Sequence, residues 1–191
     1  LGVPVSVDTC KPEVMRRAIA AGADVINDIQ ALQAPGAIEA VLGSEVGICL
    51  MHMKGEPDTM AKLAVYDDVV AEVAAFLAQR AAALRQAGVA ADRITLDPGY
   101  GFAKTSAQNL RLLAHQAALA SLGHPLLVGW SRKRTLGEVT GRAVDGRLAA
   151  SLAAALKAVQ HGAHILRVHD VAATVDALKV WQAVSDNAGP N

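Results

Sequence analysis

The sequence predicts an α/β fold of consecutive βα units, arranged as a (β/α) barrel rather than as a doubly wound sheet. Three observations carry that reading. Short β-rich runs alternate with Ala-rich stretches of helical period, giving six βα units in 191 residues. The strand runs are nearly all apolar and no Asn-Gly type hairpin signal joins them, as expected for a parallel sheet covered on both sides. Polar residues then gather at or just past the strand ends: Asp8, Asn27, His52, Asp97, Ser131 with Lys133, and Arg167 with His169. In a barrel all strand C-termini open on one face, where sites are built. A dinucleotide-binding sheet would call for a G-x-G-x-x-G turn after the first strand, and there is none.

Each element has a local reason. Val3 to Val7 reads as a strand ending at Asp8-Thr9, followed by a helix from Lys11 to Ala21. Pro12 falls in the first turn of that helix, where a missing N–H costs least, and Gly22 supplies its stop. Asp24 to Asn27 is the second strand. A helix from about Gly36 to Leu42 leads to a third strand, Val46 to Met51, which ends at His52. Met53 to Met60 is a long polar loop, and Tyr66 to Gln86 a long amphipathic helix closed by Gly88. Arg93 to Leu96 is the fourth strand, followed by a helix from Ser106 to about Leu122 with Asn109 and Arg111 on its polar side. Pro125 to Val128 is the fifth strand. Arg147 to Gln160 is an Ala-rich helix stopped by Gly162, and His164 to Val168 is the sixth strand, before a last helix to about Val184.

The composition narrows the classes of function. The length suits one domain over residues 1–191, and no linker argues for two. Lys plus Arg and Asp plus Glu are both 18, so zero net charge gives no bulk attraction to nucleic acid or to an anionic membrane. No apolar run approaches the ~18–20 residues that span a bilayer. Cys10 and Cys49 have neither metal-like nor disulfide-framework spacing and read as free thiols in a reducing cytosol. The sequence starts directly in a strand, without an initiator Met or a signal pattern, as if cut from something longer. A complete barrel has eight strands and roughly 250 residues. Two βα units are therefore expected to be missing from the N-terminal side, leaving an open arc of doubtful stability and little or no catalytic activity.

The stretch Leu96 to Thr105, L-D-P-G-Y-G-F-A-K-T, concentrates the chemistry. Pro98 biases Asp97 towards an extended conformation at a strand end. Gly99 and Gly101 permit turns closed to other residues and leave room for a flat ligand. Tyr100 and Phe102 bring aromatic faces and Lys104 a cation. The bland alternative is a strand-to-helix turn with an Asp cap. Taken singly the other rim residues are equally ambiguous: Asp8 as a helix N-cap, Asn27 and Asp28 as turn residues, His52 and His169 as satisfied core histidines. The run G-W-S-R-K-R from Gly129 is harder to dismiss, because cations at a helix start oppose the dipole. An anionic ligand explains them, with Arg132, Lys133, Arg134, Arg167 and His169 converging on it. Asp8, Asn27 and Asp97 would face a flat, donor-rich heterocycle on the other side.

Six motifs in order strengthen this: V-D-T at Val7, I-N-D at Ile26, M-H-M-K-G-E-P-D-T-M at Met51, L-D-P-G-Y-G-F-A-K-T, V-G-W-S-R-K-R at Val128 and R-V-H-D-V at Arg167. Together they resemble the dihydropteroate synthase family. The resemblance implies a TIM barrel, (β/α)8, of which this chain covers roughly the third to eighth strands. It also implies a cytoplasmic transferase of folate biosynthesis, joining the diphosphate ester of 6-hydroxymethyl-7,8-dihydropterin to p-aminobenzoate. It places Asp8, Asn27, Asp97 and Lys133 at the pterin, Arg167 and His169 at the diphosphate, and Ser131 and Phe102 near the p-aminobenzoate. Lys133, Arg167 and His169 would be the catalytic set. Mg²⁺ is the implied cofactor, but the Asn that binds it belongs to an N-V-T-P-D-S-F stretch absent here, so no metal ligand is expected in this chain. Small-molecule substrates and a homodimer at full length are the implied partners. Tyr100 departs from the more usual Phe. Two alternatives stay open: a pterin-dependent methyltransferase that binds methyltetrahydrofolate, and an inactive pterin-binding fragment.

Overall fold

The strands pair in the order in which the chain makes them. In the computed structural model, which describes residues 2–55 and 59–187, β1 (Ser6–Asp8), β2 (Val25–Asp28), β3 (Gly47–Met51) and β4 (Ile94–Asp97) form one parallel sheet. Residues 56–58 of the expected Met53–Met60 loop lie outside that description. β5 (Leu127–Val128) and β6 (Ile165–Leu166) form a second parallel pair. A parallel bridge between Leu96 and Leu126 joins the two sets, and Leu96 N–H donates to the Pro125 carbonyl at 2.9 Å. The result is an arc of six parallel strands, with a helix or helix pair after each.

The helices are α1 (Pro12–Ala20), α2 (Ala37–Leu42), α3 (Val69–Gln86), α4 (Ser106–Ala114), α5 (Ala117–Ala120), α6 (Arg134–Thr140), α7 (Leu148–Gln160) and α8 (Val171–Asp186). α3 starts three residues after the expected Tyr66, because the Asp68 carboxylate accepts from the N–H groups of Val70 and Ala71 and sets the N-cap there. α4 begins with a capping box in which Thr105 and Gln108 satisfy each other's backbone. The single helix expected over 106–122 is in fact two. Its break lies at His115-Gln116, where the Gln116 side chain turns into the core and finds polar partners. The strand expected from Val3 shortens to Ser6, since β1 is an edge and Val3 and Pro4 stay exposed.

Register decides what each strand shows to the inside. Asp8 pairs with Asn27, Asn27 with Cys49 and Cys49 with Thr95, which puts them in one row across the arc. With a side-chain period of two, Met51 and Asp97 share that face. The other face carries Ile26, Ile48, Leu50, Ile94 and Leu96, all buried against α3 through Val73, Leu77 and Leu84 and against α4 through Leu112. Each such side chain, fully buried, stabilises the fold by about 1.5–3 kcal/mol. One face is therefore the hydrophobic core and the other a more polar hollow. At the β6 end of the hollow Ile165 remains 44% exposed.

Candidate active site

Asp97 ends β4 at the floor of the rim. Its Oδ1 accepts from Gly99 N–H at 2.7 Å, and its main-chain carbonyl accepts from His52 N–H at 2.9 Å. With only 8% of the residue exposed, burial pushes the carboxyl up to about 6, against the pull of the Gly99 N–H and of Lys133, Lys104 and Arg167. The turn that holds it needs glycine. Gly99 has φ +67°, and a Cβ there would run into the His52 carbonyl. The cap reading of Asp97 is thus half right: the carboxylate does brace its own turn, but α4 is capped by Thr105.

Two residues of this loop are not where the sequence suggests. Tyr100 is no ligand face; it lies in the core, its ring 4.7 Å from that of Trp130 and its hydroxyl donating to Gln116 Oε1 at 3.0 Å. Lys104 is no free cation. Its ammonium donates to the carbonyls of Gly99 (3.0 Å) and Phe102 (3.1 Å) and meets His52 Nδ1 at 3.0 Å. Enclosure lowers the lysine to about 7, and burial beside that ammonium lowers His52 to about 3. His52 is accordingly the satisfied core histidine, neutral and accepting from the lysine.

On the acceptor side, Asn27 is buried and its Oδ1 has no partner among the described residues. Its neighbour Asp28 faces the opposite way, accepting from the N–H groups of Gln30 and Leu32 as a turn residue. Asp8 does not cap α1, whose N-cap is Lys11 without a side-chain bond. Instead Asp8 reaches Arg167 at 3.9 Å across the mouth of the arc.

The cationic side is narrower than the G-W-S-R-K-R run implies. Arg132 is held by Asp170 through two bonds of 2.7 and 3.1 Å, and Arg134 by Glu138. Each of these two charges is matched by a carboxylate, although both residues line the same cavity as Lys133, Arg167 and His169. Lys133 turns back over the site, its Nζ 4.5 Å from the centre of the Phe102 ring. Burial lowers its pKa and nearby Asp97 opposes that shift. Arg167, with its side chain 66% exposed, and His169 stand beside it. Ser131 Oγ lies 2.9 Å from His169 Nδ1, so His169 is a rim residue and not a core histidine. Ser131, Lys133, Arg167 and His169 all line one cavity of about 600 Å³.

A family model described as pterin binding enzyme matches residues 1–169. The chain belongs to the pterin-binding enzymes. Within that family it is 47% identical over 179 residues to dihydropteroate synthase of Escherichia coli K12, covering 94% of this chain and 64% of the relative. The chain therefore spans about two thirds of that relative's length. A dihydropteroate synthase from Stenotrophomonas maltophilia with active-site-bound imidazole superposes with a TM-score of 0.95 at 56% identity, covering 100% of this chain and 72% of the other. The enzyme from Xanthomonas albilineans in complex with 7,8-dihydropteroate gives 0.92 and 54%, covering 100% and 71%. The arc is accordingly six strands of the TIM barrel that these enzymes share.

For a pterin-binding enzyme, four supporting residues take roles that a reading of the sequence alone does not give. Asn109 reads in the sequence as a polar-face helix residue, yet it is buried, accepting from Gly101 N–H at 2.8 Å and donating to the Thr105 carbonyl at 2.9 Å. Gln116 and the His52–Lys104 pair likewise tie the β4 loop to distant segments. No periodicity signals them, because each is a polar side chain whose partner is far away or on the backbone. Among the described residues no group of three His, Cys, Asp or Glu side chains is placed to hold a metal ion.

Proposed function

We propose that this protein acts as a dihydropteroate synthase of folate biosynthesis, joining 6-hydroxymethyl-7,8-dihydropterin diphosphate to p-aminobenzoate with release of pyrophosphate. One observation carries the reading. Asn27 and Asp97 are buried acceptors on the inner face, while Lys133, Arg167 and His169 stand along the same rim. A flat heterocycle rich in N–H groups suits the first set and a diphosphate the second. A similar enzyme, from Xanthomonas albilineans, is described in complex with 7,8-dihydropteroate, whose pterin ring is the kind of heterocycle that suits the first set.

In this reading Asp8, Asn27, Asp97 and Lys133 bind the pterin. The Asp97 oxygen not committed to Gly99 accepts from the ring, and its negative charge stabilises the positive charge that builds up on the pterin as the C–O bond breaks. The electron pair of that bond leaves on the pyrophosphate oxygen. Arg167 and His169 stabilise the charge there, and Lys133 sits between the two fragments. The amine nitrogen of p-aminobenzoate forms the new C–N bond with its lone pair and then loses a proton. Phe102 and Ser131 flank its approach.

Magnesium enters as a companion of the diphosphate, since Mg²⁺ is commonly held by phosphate oxygens with few protein ligands. No step here depends on it. The proposed substrates are small molecules, with no nucleic acid or membrane partner; no helix among the described residues is long and apolar enough to cross a membrane. Two free cysteines suit the reducing cytosol, where we place the protein. A homodimer would cover the exposed Val175, Val180 and Val184 of α8, which sedimentation can test.

Titration with the pterin diphosphate and with the unphosphorylated pterin tests the assignment, followed by pyrophosphate release on adding p-aminobenzoate. The diphosphate ester is expected to bind more than tenfold more tightly, a charge-assisted gain of about 1.5–3 kcal/mol. Equal affinity for the two would overturn it.

A further inference from the structure

We propose that Ser131 is a positioning residue for His169, fixing its imidazole as the Nε2–H tautomer so that Nε2 donates to the departing diphosphate. Ser131 follows β5, is 7% exposed, and its Oγ lies 3.2 Å from His169 N and 2.9 Å from His169 Nδ1. The His169 peptide N–H can only donate, so Oγ accepts there. The hydroxyl proton then needs an acceptor, and among the described residues Nδ1 is the one within reach. Were Nδ1 protonated instead, two donors would point at one oxygen and the buried hydroxyl proton would have no acceptor. A neutral ring that accepts at Nδ1 carries its proton on Nε2. That nitrogen bonds no described residue, on a side chain that lines the cavity beside Arg167 and Lys133.

The pair cannot readily slip, because it is one rung of three between the β5 and β6 ends. Arg167 N–H donates to the Val128 carbonyl at 2.9 Å, and Arg132 grips Asp170 with two bonds. Arg132 N–H is also held, by Ser151 Oγ of α7 at 3.0 Å. With Val128–Arg167 on one side and Arg132–Asp170 on the other, Ser131 and His169 meet in a fixed frame. The tautomer follows from the hydrogen bonds alone; the donation to diphosphate rests on the function proposed above.

Long-range proton–nitrogen NMR on ¹⁵N-histidine-labelled protein reads the tautomer directly. It is recorded at about pH 8.5, above the ordinary imidazole range, and His169 is assigned by the loss of its signals in His169→Gln. The wild type should show the Nε2–H pattern, Ser131→Ala a mixture of tautomers, and Ser131→Thr, which keeps the hydroxyl, the wild-type pattern. Pyrophosphate affinity should fall roughly tenfold in Ser131→Ala, the worth of one charge-assisted bond misdirected, and recover in Ser131→Thr. Affinity for the unphosphorylated pterin should hold in all three, which separates positioning from damage to the fold. An Nδ1–H pattern in the wild type, or an unchanged pattern in Ser131→Ala, would overturn the proposal. If the tautomer shifts as expected while pyrophosphate binds neither protein, the lock is supported and the diphosphate reading alone falls.

Discussion

Replacing Tyr100 with Phe removes one oxygen from the core and strips Gln116 Oε1 of its donor. Both residues are buried, and the bond between them is 3.0 Å long. A buried acceptor left without a partner costs about 1–3 kcal/mol. Gln116→Leu should cost a similar amount for the mirror reason, an orphaned tyrosine hydroxyl. Its amide also donates to the carbonyls of Ala158 at 2.9 Å and His161 at 3.2 Å; the first keeps the N–H groups of Ala163 and His161, and the loss of the second burdens the single and the double variant alike. In the double variant neither group is left unpaired. The double variant should therefore be more stable than the sum of the single losses by about 1–2 kcal/mol. For a protein of this size 1 kcal/mol moves Tm by roughly 2–4 °C, so each single change should lower it by about 2–12 °C. Urea unfolding of the four proteins measures the coupling. Additivity within about 0.5 kcal/mol would refute the account of this pair as one unit.

Four shorter expectations concern the site. Asp97→Ala should weaken pterin binding by roughly 10–150-fold in calorimetric titration, the range for losing hydrogen bonds to a charged group; unchanged affinity would remove Asp97 from the pterin assignment. Arg167→Ala should lose pyrophosphate affinity at least tenfold while unphosphorylated pterin binds as before, and equal losses would reduce Arg167 to a structural role. Gly99→Ala combines a left-handed backbone with a collision at the His52 carbonyl and should destabilise by more than about 1 kcal/mol in urea. Lys104, held at about 7, sits below its unfolded value, so between that pH and about 10 the unfolded chain binds more protons and stability rises with pH. Lys104→Met should flatten this rise in pH-dependent unfolding, and an identical slope would contradict it.

The strands and most helices were legible because periodicity reports burial, and burial shapes whole segments. Asp97, Asn27 and His169 were legible as a set because strand ends in a barrel share one face. Separating Asn27 from Asp28 was beyond the sequence: both are polar at a strand end, and only the register sends one inward and the other to the turn. The same limit applies to Lys104 and Arg132, each of which reads as an available cation until its partners are in place. Tyr100 shows the opposite error. An aromatic in a glycine-rich loop looks like a ligand platform, but its destination depends on Trp130 and Gln116, which lie outside the motif.

The long ion pair between Asp8 and Arg167 ties the two ends of the hollow together. It joins the first strand of the arc to the residue just past the last, so the carboxylate at one end is partly occupied by the cation at the other. An anion that captures Arg167 takes that cation from Asp8 and leaves the carboxylate free to accept from a second ligand. Occupancy at either end is then coupled to the other, and the coupling is reciprocal. Because both side chains are half exposed or more, the pair is worth less than about 1 kcal/mol, so the cooperativity is at most about fivefold and fades with salt. In the function proposed above, the diphosphate and heterocycle ends of the substrate would thus assist each other through the protein as well as through their covalent bond.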